Sequence, residues 1–237
     1  MKKHLLPHFN KRENKIDMLV FHSFTTNCIA SCNLYKVSAH YLIDEKGEIT
    51  LLVKEQDRAW HAGQSSWRDI KSDINSHSIG IEIENKTLGQ TPFSEPQIKS
   101  IINLSKKIIK KYNILPQNIV GHSDIAPNRK PDPGHFFPWK LLAKKGIGLW
   151  YNIDNAKFIK TKSIKKLLKK IGYETSDINA AAYAFCRRFL PQYIKPDFNI
   201  SHLVDNVLPN NFDFIKEEKF IKTLQAVAYS YQQSNVL

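Results

Sequence analysis

Cysteine is scarce in this chain. Its 237 residues contain three, Cys28, Cys32 and Cys186, and an odd, small number excludes a disulfide framework. Cys28 and Cys32 are four apart, which suits one face of a helix. Without a second cysteine pair they read as reduced thiols and not as half of a metal site. Long apolar runs are also missing: nothing approaches the roughly 20 consecutive apolar residues of a membrane span. The start, Met1 to Lys15, is basic like a secretory leader but lacks its apolar stretch and small-residue cleavage site. The expectation from that end is a cytoplasmic protein. Acidic residues are few, 22 against 35 Lys plus Arg, for a formal net charge of +13. Such an excess favours acidic partners. The basic residues, however, fall in short clusters (Lys106-Lys107, Lys110-Lys111, Lys165-Lys166, Lys169-Lys170) spaced like solvated helix faces, and no nucleic-acid motif accompanies them. The charge is therefore permissive evidence for an acidic substrate and no more, and a nucleic-acid-binding reading rests on charge alone.

What is present is enough for one large domain and an appendage. Ile16 to Phe24 is a dense apolar run of strand length, with His22 near its end. Ser38 to Ile43 and Glu48 to Val53 read as a hairpin turned through Gly47. In Ser78 to Asn85 (SIGIEIEN), Ile79, Ile81 and Ile83 alternate to one face, so Gly80, Glu82 and Glu84 share the other. Two carboxylates on one face suit either a wet cleft or a solvated edge strand. Ser94-Glu95-Pro96-Gln97 has capping-box spacing and opens an amphipathic helix to about Tyr112. Asn118 to Val120 is again strand-like. After Trp150 the pattern becomes helical: Ser163–Ile171, Asn179–Leu190 and Lys216–Tyr231 each predict a helix, with a polar, proline-punctuated connection between the last two. The order predicts an α/β fold over 1–150, a mixed sheet flanked by helices, and a small C-terminal helical unit over 151–237.

The chemistry concentrates in Gly121 to Gly134, GHSDIAPNRKPDPG. Pro127, Pro131 and Pro133 forbid regular structure but stiffen the loop, and stiff polar loops commonly carry sites. His122 leaves a strand, Asp132 follows ten residues later, and Lys130 lies beside it. With His22 leaving another strand, these offer three metal ligands, although spacing alone leaves His40 and His61 open as alternatives. Either carboxylate of SIGIEIEN could serve as a general base for amide hydrolysis. Trp60 and Trp67, in the stretch Arg58 to Arg68, suit a sugar or peptide wall or serve as packing anchors.

Taken in order, His22, SAHYLI, AWHAG (Ala59–Gly63), SIGIE (Ser78–Glu82) and GHSDIAPNRKPDPG resemble the zinc-dependent N-acetylmuramoyl-L-alanine amidases of type 2. That family includes cytosolic anhydromuramyl-peptide amidases, envelope amidases, phage enzymes and peptidoglycan recognition proteins. The resemblance spans residues 15 to 142. It implies one Zn²⁺ held by His22, His122 and Asp132, with Glu82 as the catalytic base and Lys130 as a second catalytic group. Asp132, where the phage branch has Cys, places the chain with the bacterial enzymes. The implied reaction cleaves the amide between N-acetylmuramic acid, or its 1,6-anhydro form, and L-alanine in peptidoglycan fragments. A non-catalytic peptidoglycan-binding protein of the same fold is the alternative. Lys36, Trp60, His61 and Arg68 are candidate substrate contacts. LLKKIGY (Leu167–Tyr173) and AYAFCRRFLP (Ala182–Pro191) loosely resemble a helical peptidoglycan-binding unit, which would favour the periplasm or cell envelope.

Overall fold

The computed structural model describes residues 1–25, 27–195 and 208–234. A six-stranded mixed sheet runs in the order β1 (Lys2–Lys3), β5 (Ile49–Leu51), β4 (Tyr41–Ile43), β7 (Ser78–Glu84), β3 (Met18–Phe24), β8 (Ile119–Gly121). Strand β7 is parallel to β3 and β4, and β3 to β8, whereas β4 and β5 form the expected antiparallel hairpin. Beside it, β2 (Phe9–Lys11) pairs with β6 (Asp57–Ala59). Central parallel strands are buried on both faces, so β3 reads as nearly unbroken apolar sequence.

The alternation in β7 decides what covers each face. Ile79, Ile81 and Ile83 join Leu19, Phe21 and Ile119 against α3 (Glu95–Tyr112), through Ile101, Leu104 and Ile108, and against Trp139 and Leu142 of α5 (Trp139–Lys144). Helix α3 starts at the expected capping box: Ser94 Oγ accepts from the Gln97 N–H, and Gln97 Oε1 from the Ser94 N–H.

The opposite face carries Met18, Val20 and Val120. These share a core with Trp67 and with the C-terminal helices α6 (Ile164–Ile171), α7 (Ile178–Phe189) and α8 (Glu218–Gln233), through Leu168, Ile171, Phe185, Phe220 and Leu224. Side chains of Ser163 and Asp177 cap α6 and α7, and Gly172 ends α6. The result is three layers, with helices on both sides of the sheet. Residues 196–207 of the connection between α7 and α8 lie outside the described residues.

Three short helices are α1 (Cys28–Tyr35), α2 (Ile74–His77) and α4 (His122–Ile125). Cys28 and Cys32 are the buried residues of α1, on one face of it. Among the described residues no helix is long and apolar enough to cross a membrane.

Candidate metal centre and active site

The parallel register sets His22 of β3 directly beside Glu82 of β7, both on the face opposite the isoleucines. Next to β3, β8 ends at Gly121, and His122 is the first residue of α4. The proline loop then returns: the Ser123 N–H donates to the Asp132 carbonyl at 2.8 Å, which brings the Asp132 carboxylate under both imidazoles.

Three donor atoms meet there. His22 Nδ1 is 3.0 Å from His122 Nδ1, and Asp132 Oδ2 is 3.4 Å and 3.2 Å from them in turn. All three residues are buried. A tetrahedral zinc with ligands at its usual bond lengths sets its donors about 3.3 Å apart, so the triangle has the size of that coordination edge. Two imidazole nitrogens this close repel unless a proton or a cation lies between them. The donor set thus fits a metal ion.

Hydrogen bonds on the far side of each ring aim both nitrogens inward. His122 Nε2–H donates to the Ala62 carbonyl at 3.2 Å. His22 Nε2–H donates to His61 Nδ1 at 3.0 Å, His61 Nε2–H to Ser78 Oγ at 3.2 Å, and Ser78 Oγ–H to the Ile74 carbonyl at 2.7 Å. A chain of donors running away from the site leaves Nδ1 of His22 and of His122 as the atoms available to a metal ion. Burial, reinforced by His22, His40 and His122, pushes the His61 pKa well below its ordinary value, so His61 stays neutral and able to accept. Gly80 lies against it: a Cβ there would fall 2.5 Å from His61 Cγ.

Burial tends to raise the Asp132 pKa, but the charges and hydrogen bonds of His122 and His22 outweigh it and hold the carboxyl far below the ordinary range. Glu82 behaves oppositely. Burial pushes its pKa up to about 7, with Asp132 adding to the rise and His22 opposing it. Its Oε2 is buried without a hydrogen-bond partner. A half-buried carboxylate with one shielded, unpartnered oxygen beside a metal donor set is placed to exchange protons. Glu84, further along the same strand, instead accepts from the Glu45 N–H at 3.4 Å and does not line the cavity.

The cavity over these groups measures about 600 Å³ and is lined also by Lys130, Arg129, Trp60, Tyr35 and Leu88. Of the other histidines, His40 is fully buried: its Nδ1 accepts from the Gly80 N–H at 3.0 Å, and its Nε2 faces Arg12 and the Asp57 carbonyl. Neither His40 nor His61 joins the donor triangle.

The candidate substrate contacts separate. Trp60 lines the cavity, its indole N–H donating to Asn10 Oδ1 at 2.7 Å. His61 borders the cavity too, with its ring nitrogens engaged by His22 and Ser78. Lys36 caps α1 in a left-handed conformation, outside the lining residues. Arg68 also lies outside them: Trp67 is fully buried and donates to the Gln117 carbonyl, which carries Arg68 to the Ile171 carbonyl and Gly172 of the helical unit. Arg129, not singled out in the sequence, lines the cavity and donates to the carbonyls of Ala62 (3.0 Å) and Gln64 (2.5 Å). Its only sequence signal is its place beside Lys130 in the stiff loop.

Fold and site together define a hydrolase whose donor set can hold a metal ion. Residues 12–135 match the sequence profile of the N-acetylmuramoyl-L-alanine amidase family. The N-acetylmuramoyl-L-alanine amidase AmiD of Escherichia coli (strain K12) is 38% identical over 187 residues, which are 68% of this chain and 67% of AmiD. The 1,6-anhydro-N-acetylmuramyl-L-alanine amidase AmpD of Haemophilus influenzae is 36% identical over 160 residues, 56% of this chain and 85% of AmpD. The structure of E. coli AmiD in complex with the substrate anhydro-N-acetylmuramic acid-L-Ala-D-gamma-Glu-L-Lys superposes with a TM-score of 0.71 at 32% identity, covering 92% of this chain and 89% of that one. The chain belongs to the N-acetylmuramoyl-L-alanine amidase family.

Proposed function

We propose that the protein hydrolyses the amide bond between N-acetylmuramic acid, or its 1,6-anhydro form, and the L-alanine of peptidoglycan fragments, with Zn²⁺ held by His22, His122 and Asp132. The observation that carries this reading is the buried donor triangle with the unpartnered Oε2 of Glu82 beside it. The AmiD complex supports the choice of substrate, because its bound molecule contains that same bond between an anhydro-muramic acid and L-Ala.

When bound, zinc supplies Lewis acidity to the reacting centre. The protein's own groups do the rest. Glu82 accepts a proton from the attacking water and returns it to the nitrogen of the leaving L-alanine. Lys130, on the cavity wall, stabilises the negative charge that develops on the carbonyl oxygen; one such donor contributes roughly 3 kcal/mol. Trp60 and Tyr35 offer flat faces to a sugar ring. Arg129 and Lys130 suit the carboxylates of a stem peptide. Among the described residues, those lining the cavity fall between His22 and Asp132, which supports placing the catalytic part within residues 1–150 and treating 151–237 as a helical unit attached to it.

The test is digestion of anhydro-muropeptides and of whole sacculi side by side, with products weighed by mass spectrometry and zinc counted in the purified protein. One zinc per chain with release of the intact stem peptide from the sugar supports the reading. His122→Ala should lose both metal and turnover. Turnover that survives complete chelation would overturn it.

A further inference from the structure

Two residues past His122, in the same single-turn helix α4, Asp124 is 1% exposed. It takes no part in lining the cavity. Its carboxylate is fully engaged elsewhere: Oδ2 accepts from the Gly121 N–H (2.9 Å) and from Arg188 Nη1 (2.8 Å), and Oδ1 accepts from the Tyr173 hydroxyl (2.6 Å). Arg188 belongs to α7, and Tyr173 follows the glycine that ends α6. Arg188 also donates from Nη2 to the Ile119 carbonyl at 3.1 Å, while its guanidinium lies 4.0 Å from the Trp139 ring centre. The segment from Ile119 to Asp124, which delivers His122 to the site, is therefore tied at both ends to side chains of the C-terminal helices.

A fully desolvated ion pair contributes little net stability, but loss of one partner is costly because the other charge stays buried. Its use here is better explained by geometry. A one-turn helix cannot hold its own shape, and His122 must present Nδ1 within a few tenths of an ångström to share a cation with His22. Asp124 draws the turn closed through the Gly121 N–H, and Arg188 and Tyr173 fix Asp124.

We propose that Arg188 and Tyr173 are positioning residues of the metal centre, acting through Asp124 on the turn that presents His122, so that the C-terminal helical unit completes the active site. The inference rests on His122 being a metal ligand. Removing Arg188 would leave the Asp124 carboxylate buried without its counter-charge, and the turn would shift to hydrate it. Removing only the Tyr173 hydroxyl would free one carboxylate oxygen and loosen the turn less.

The experiment measures zinc affinity of the full chain by competition with a chromophoric chelator, at a temperature where circular dichroism shows each protein folded. Arg188→Met and Tyr173→Phe are compared with wild type and with Leu224→Ala, a cavity in the same core on α8. Outer partners of metal ligands are worth about 10- to 100-fold in affinity. The expectation is a loss in that range for Arg188→Met, a smaller loss for Tyr173→Phe, and affinity within about twofold of wild type for Leu224→Ala despite its lower melting temperature. Unchanged affinity in the folded clamp variants overturns the proposal, and so does an equal loss in Leu224→Ala, which would signal general loosening. Should Arg188→Met fail to fold, Tyr173→Phe decides alone. A wild-type protein that binds no zinc refutes the metal assignment itself, a result distinct from a clamp that does nothing.

Discussion

Glu82→Gln should make the protein more stable while disabling it, and the size of both effects follows from where the carboxyl lies. In the fold its pKa stands at about 7 against an ordinary 4.5. The folded state therefore keeps a proton that the unfolded chain gives up between those values, so stability is greatest below 4.5 and falls as the pH rises through 7. At about 1.4 kcal/mol per pH unit, the buried charge costs about 3 kcal/mol above that window. Glutamine has nearly the same shape and never ionises. In metal-free protein, urea titrations should show the variant gaining less than about 1 kcal/mol over wild type near pH 5 and about 3 kcal/mol near pH 9. Activity of the zinc-loaded variant should drop by about 10²- to 10⁴-fold, the usual worth of a general base, with zinc content unchanged. A stability difference that stays flat across that pH range would falsify the account of Glu82 as a base tuned by burial.

Two further outcomes follow from the residues around the site. Burial, then the Arg12 charge, pushes His40 down to about 3; the unfolded chain takes up its proton near 6.5. Stability from this group is full above 6.5 and is lost as pH falls toward 3, by up to about 5 kcal/mol, and acid titration of His40→Asn should be correspondingly flatter. Gly80→Ala puts a methyl 2.5 Å from His61 Cγ, which should destabilise the fold by about 1–3 kcal/mol and weaken zinc binding about 10- to 100-fold by turning His61 away from His22; equal zinc affinity would show that His61 does not orient its neighbour.

Much of this arrangement was legible because strands have a short period. Alternation in SIGIEIEN placed Glu82 and Glu84 on one face, and apolar runs ending in histidine marked His22 and His122 as strand-end residues. Period alone could not choose between the two glutamates, since the choice depends on how far each lies from the strand end and on what covers it. The same limit applied to His40 and His61, whose partners, the Gly80 N–H and Ser78 Oγ, come from a strand 17 or more residues away. Arg68 was misplaced for a related reason: the course of its loop is set by burial of Trp67 against helices that begin about 100 residues later. Helix α1 showed only through the four-residue spacing of Cys28 and Cys32, because CIASCNLY is short and has no clear apolar stripe.

A chain cut back to the sheet and its first helices would present Met18, Val20, Val120 and Trp67 to water as one contiguous greasy surface. Any relative that dispenses with the last 80 or so residues must therefore have repainted those positions or found another roof for them. Reading just those few side chains in a shorter homologue would reveal whether it lives alone or beneath a partner.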